Sequence, residues 1–91
     1  MKVVVLYRPE SEFARAVETF IHDFKARNSS IKVEVLNIDS RDGIAMASLY
    51  DIMRFPAILA MAGDGYLLKH WEGPELPLMD EVAAYAYSGQ H

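Results

Sequence analysis

The segment "KVVVLY", Lys2 to Tyr7, constrains the fold more than any other stretch of the chain. It is apolar and rich in β-branched residues without alternation, so both faces of the strand it forms must be covered. Such a strand sits inside a sheet with a layer packed on each side. The next residues supply one layer. In "RPESEFARAVETFIHDFKARN" Phe13, Val17, Phe20, Ile21 and Phe24 recur at helical spacing. Pro9, Glu10 and Glu12 suit a helix start, where proline is tolerated and negative charge is favoured. The pattern predicts an amphipathic helix of about five turns that ends near Asn28. "IKVEVLNID", Ile31 to Asp39, alternates before becoming continuous, which predicts a second strand nearer the sheet edge. Strand, helix and strand joined by short links favour a right-handed crossover and parallel pairing.

In the second half, Ala45, Leu49 and Ile52 mark one face of a second helix. It should stop near Met53, because the residue before proline is pushed out of the α region. Pro56 opens the apolar run "PAILAM", although proline lacks the N–H that a sheet ladder needs. "AGDG", Ala62 to Gly65, is a turn that joins this run to "YLLKHW" as a hairpin. Pro77 suits a further helix start, with Leu78, Val82 and Tyr85 as its buried stripe before Gly89. The expected class is α/β, in the order βαβ-α-ββα. A central mixed four-stranded sheet flanked by helices would form one domain over residues 1–91.

Charge and composition narrow the function. The 13 acidic and nine basic residues give a net charge of -4, and the basic residues form no run, so nucleic acid is not an expected partner. The apolar run at the N-terminus is too short for a secretion signal or a bilayer span, and the expectation is a cytoplasmic protein without a membrane partner. There is no cysteine, which removes disulfides and any chemistry that needs a thiolate.

Three stretches, "VLNID", "YDIMRFPAILAM" and "GYLLKHWEG", resemble the second strand, the proline strand with its approach, and the closing strand of thioredoxins. The likeness extends over nearly the whole chain. It implies a thioredoxin-like fold in which Pro56 is the family's cis-proline and turns the Phe55 backbone toward the first helix. In the family that backbone pairs with an extended peptide. The family's nucleophilic and resolving cysteines fall at about Ser11 and Ala14, and its buried aspartate and lysine fall on Val5 and Val35, which read as plain core. Thiol–disulfide exchange needs a thiolate, and a serine hydroxyl is far too basic to replace it. The resemblance therefore implies a cysteine-free, non-catalytic member of the fold, not an enzyme.

The remaining polar residues read plainly. Ser11 has no base placed to activate it and reads as a helix cap. Glu10 and Glu12 read as first-turn residues facing the helix dipole; they disfavour an anion there, and Arg8 offsets part of their charge. His22, His70 and His91 lack ligand spacing, so no metal and no cofactor is expected. His70 and Trp71 face opposite sides of their strand, one of them under a helix. Met46, Met53, Met61 and Met79 fill core gaps or line an adaptable surface. Tyr7 matches the aromatic that flanks the thioredoxin active site, and reads equally as a core-edge tyrosine.

The expected site is a partner-binding groove made by Tyr7, Arg8, Pro9, Ser11, Arg54, Phe55 and Pro56. It would hold an extended peptide or protein segment, as in a chaperone-like or adaptor module. Two alternatives stand beside it. A glutathione- or small-molecule-binding transferase-like domain is disfavoured because the chain holds no helical second domain and no Glu-Ser pair after the hairpin. A structural homodimer module would use a sheet edge or an apolar helix face.

Overall fold

The computed structural model describes residues 2–88, so Gly89 and His91, both read from sequence above, lie outside the described residues. The elements are β1 (Lys2–Tyr7), α1 (Ala14–Arg27), β2 (Lys32–Asn37), α2 (Arg41–Leu49), β3 (Ala57–Met61), β4 (Leu67–Glu72) and α3 (Met79–Ser88). The sheet order is β2-β1-β3-β4. β1 runs parallel to β2, with Val3 beside Val33 and Val5 beside Val35. It runs antiparallel to β3, and β3 antiparallel to β4.

The covered strand of the sequence, β1, is one of the two interior strands of the sheet, with β3 beside it. Val3, Val5 and Tyr7 point to one face, where they meet Val17, Phe20, Ile21 and Phe24 of α1 and Val82, Ala83 and Ala86 of α3. Val4 and Leu6 point to the other, with Ala57, Leu59 and Met61 of β3 and with Ile52; Met46, Ala47 and Tyr50 pack against this smaller cluster. The strand period of two assigns successive valines to different layers, which is why the run carries no alternation.

Several local expectations are corrected. α1 begins at Ala14 and not at Pro9, because the chain first makes two tight turns, with Ser11 N–H donating to the Arg8 carbonyl at 3.0 Å and Ala14 N–H to the Ser11 carbonyl at 3.2 Å. Its fourteen residues make about four turns. Phe13 occupies the N-cap position without a side-chain cap, and Glu10 and Glu12 precede the first turn.

α2 ends at Leu49, four residues early, because Asp51 takes a left-handed conformation (φ 56°) that the helix cannot include. Its packed face is Gly43, Met46, Ala47 and Tyr50, while Ala45 and Leu49 are exposed. Gly43 decides this. A Cβ there would overlap the Asn37 carbonyl oxygen, so the glycine lets α2 lie directly against the end of β2.

α3 starts at Met79 and buries Val82, Ala83 and Ala86; Leu78 and Tyr85 are exposed. The buried residues are small, so helix and sheet approach closely. Val5 is core, but Val35 is 39% exposed because β2 is an edge strand. Among the methionines, Met61 is buried and Met53 exposed, with Met46 and Met79 between.

Candidate functional site: a groove beside Pro56

The C-terminal end of β1 and the turn after it form one wall. The Ser11 hydroxyl donates to the Arg8 carbonyl at 2.7 Å, which ties off the first turn and leaves no hydroxyl cap for α1. Ser11 is thus a turn residue and not the helix cap read from sequence. Tyr7 is buried in the sheet and its hydroxyl donates to Glu18 Oε2 of α1 at 2.8 Å. Burial, and then the neighbouring Glu18 carboxylate, pushes the Tyr7 phenol above its ordinary range.

Arg8 makes a two-pronged contact with Asp39 just beyond β2, Nε to Oδ2 at 3.0 Å and Nη2 to Oδ1 at 3.2 Å. Hydrogen bonding and charge from Asp39 hold the guanidinium more firmly protonated than usual. Arg8 is therefore paired across the top of the sheet with Asp39, and the charge of Glu10 adds to its stabilisation.

The opposite wall is the approach to β3. The Phe55–Pro56 peptide bond is cis. Met53 N–H donates to Glu72 Oε1 at 2.8 Å, and Gly73 N–H donates to the Pro56 carbonyl at 3.0 Å. Between these anchors, the main-chain groups of Arg54 and Phe55 have no hydrogen-bond partner among the described residues. The end of β4 thus holds a two-residue bridge at both ends and leaves its polar backbone open.

The two walls enclose a cavity of about 290 Å³ lined by Tyr7, Arg8, Ser11, Phe13, Ile38, Phe55 and Pro56. Five of the seven residues expected from sequence meet there. Pro9 is exposed on the turn and Arg54 faces a second cavity, of about 530 Å³, with Trp71, Glu72, Pro74, Glu75, Leu76 and Pro77. Phe13 and Ile38 were missed. Phe13 fitted the helical stripe of α1, and only the late start of that helix releases it to the cavity. Ile38 is an apolar residue just past a strand end, a signal available in "NID" but easily assigned to the strand.

The other polar candidates fall elsewhere. Trp71 packs on the α1–α3 side of the sheet, where its Nε1 donates to Glu81 at 2.8 Å and its ring meets Tyr85 edge-on at 5.7 Å. His70 lies 3.7 Å from Glu72, and His22 is exposed beside Asp23. Among the described residues no group of three side chains is arranged to hold a metal ion, and no helix is long and apolar enough to cross a membrane.

No protein-family model and no curated protein sequence matches the chain. Solved structures do. Thioredoxin 1 from Thermosipho africanus superposes with a TM-score of 0.70 at 14% identity, over 97% of this chain and 92% of that one. Fasciola hepatica thioredoxin gives 0.72 at 11% identity, over 98% and 80%. Mitochondrial thioredoxin 3 from Saccharomyces cerevisiae gives 0.72 at 10% identity, over 96% and 76%. The chain therefore has a thioredoxin-like fold, a mixed four-stranded sheet between helices, and carries no cysteine in it.

Proposed function

We propose that the protein is a non-redox binding module that holds an extended peptide or protein segment in the groove between Tyr7–Phe13 and Phe55–Pro56, in an adaptor or chaperone-like role. The observation that supports this most directly is the open main chain of Arg54 and Phe55 beside an apolar cavity. An extended segment can answer those backbone groups while one of its large apolar side chains enters the cavity, the arrangement that strand addition uses for affinity and specificity. A cavity of about 290 Å³ suits such an anchor better than a drug-sized ligand. Thiol exchange is set aside because the chain has no sulfur nucleophile. Glutathione is disfavoured as well, since Glu10 and Glu12 adjoin the groove and Arg8 is already paired with Asp39.

Panning a random-peptide phage library on the wild-type protein tests the reading, followed by calorimetry of the enriched peptides on wild type and on Phe55→Asp. Peptides with a large apolar anchor are expected, with affinity reduced at least about tenfold in Phe55→Asp. Both proteins are compared at a temperature where circular dichroism shows them folded, since Phe55 also packs against the smaller core cluster and its loss lowers thermal stability. Failure to enrich any peptide, or equal affinity for the variant, rejects the groove. Insulin reduction is expected to proceed at the uncatalysed rate, and acceleration by the protein would contradict the non-redox reading.

A further inference from the structure

The bridge that carries Phe55 also carries a charge whose placement bears on what the groove selects. Arg54 is exposed, and its guanidinium lies beside Gly73. A Cβ built on Gly73 would lie 3.0 Å from Arg54 Nη2, 3.4 Å from Cζ and 3.6 Å from Nε, so the group lies against the glycine. Gly73 itself has φ +106°, a conformation glycine adopts without penalty, and its N–H is bound to the Pro56 carbonyl. The guanidinium is thus set against backbone that is fixed to the groove.

No carboxylate among the described residues comes within 4.0 Å of that guanidinium. Glu72 and Glu75 line the same cavity, but Glu72 is engaged with the Met53 N–H on one oxygen and lies near His70 on the other. The other arginine at the groove, Arg8, is taken by Asp39. Arg54 is therefore the cation of the groove whose donors have no partner among the described residues, and its guanidinium lies against Gly73.

Neighbouring residues of the bridge line different cavities, Phe55 and Pro56 the first and Arg54 the second. In an extended segment successive side chains point to opposite sides. A segment whose apolar residue fills the first cavity presents its next residue toward the second.

We propose that Arg54 makes the groove selective for segments that carry an aspartate or glutamate adjacent to the apolar anchor. This rests on the docking reading given above. A planar guanidinium matches a carboxylate through paired N–H donors, so an acid is favoured only where it reaches Arg54 directly. Glu72 and Glu75 in the same cavity, like Glu10 and Glu12 in the turn of the other wall, disfavour acid elsewhere. The selected chemistry is an apolar side chain beside a single acid, not a generally acidic tail.

The test uses the best panned peptide with the residues next to its anchor changed in turn to Glu, Gln and Lys. Each is titrated by fluorescence anisotropy into wild type, Arg54→Gln and Arg54→Glu at low and at moderate salt. Wild type is expected to prefer the Glu peptide over the Lys peptide by about fivefold at low salt, a size that fits a partly exposed ion pair. Arg54→Gln should abolish the preference and Arg54→Glu should reverse it. Equal affinities of wild type for all three peptides, with binding still lost in Phe55→Asp, would overturn the Arg54 proposal and leave the docking reading standing. Absence of any peptide that distinguishes wild type from Phe55→Asp would overturn both.

Discussion

Tyr7 is the residue on which sheet, helix and groove meet. Its ring closes the α1-side core, its hydroxyl is bonded to Glu18 and its surface lines the cavity. Tyr7→Phe removes a hydrogen bond to a charged but exposed partner, and the expected loss at neutral pH is about 1 kcal/mol in urea unfolding. The pH dependence has a definite sign. Because the folded phenol is held above its ordinary value, the unfolded chain releases this proton first. Its contribution is fully present below about pH 10 and is lost as pH rises through the folded value. The stability gap between wild type and Tyr7→Phe should therefore narrow in alkali; a gap that widens would contradict the assignment. Tyr7, Arg8, Phe55 and Pro56 were legible as groove residues through the resemblance to thioredoxins, which places the end of the first strand beside the residue before the family's proline. Ser11 was legible in place but not in role: only the geometry places its hydroxyl on the Arg8 carbonyl, with Ser11 two residues before the N-cap residue Phe13.

Among the elements, α2 illustrates best what a pattern conceals. Ala45, Leu49 and Ile52 have helical spacing, yet of these only Ile52, beyond the helix end, is buried, and the packed side of α2 is Gly43, Met46, Ala47 and Tyr50. A hydrophobic pattern scores glycine as nothing, while in three dimensions the absence of a side chain is what permits contact. Gly43→Ala sets two effects against each other. Helix propensity favours alanine by about 1 kcal/mol, whereas the new methyl meets a backbone oxygen that no rotamer change can move. Overpacking of that kind costs about 1–3 kcal/mol and should win, giving a net loss of stability by thermal unfolding. A stabilised variant would mean that α2 is free to shift. Ser40, whose hydroxyl accepts from Gly43 N–H at 3.0 Å and donates to the Asn37 carbonyl at 2.6 Å, fixes the same junction from its other side. The strands were far easier to read than the helices, because a period of two within a sheet leaves little freedom in which residues face which layer.

The molecule as a whole is a sheet with unequal covers. The face under α1 and α3 carries the larger cluster, including Phe24, which is 1% exposed, while α2 and the approach to β3 cover the other. Phe24→Ala should cost about 3–5 kcal/mol, a large share of what a domain this small possesses, and lower the urea midpoint with little change in slope. A loss under about 1 kcal/mol would show that the α1 layer contributes less than its burial implies. Architecture was legible from strand order and the covered first strand, and the superpositions on thioredoxins agree with it at 10–14% identity. What sequence left open was which cavity each end of the bridge faces, since that depends on how the last residues of β4 grip it. That grip makes Glu72 and Gly73 a common abutment for two chambers. Filling the Phe55–Pro56 chamber is expected to slow amide exchange at Gly73, whose N–H holds the Pro56 carbonyl at 3.0 Å, and unchanged exchange would show that the abutment does not tighten.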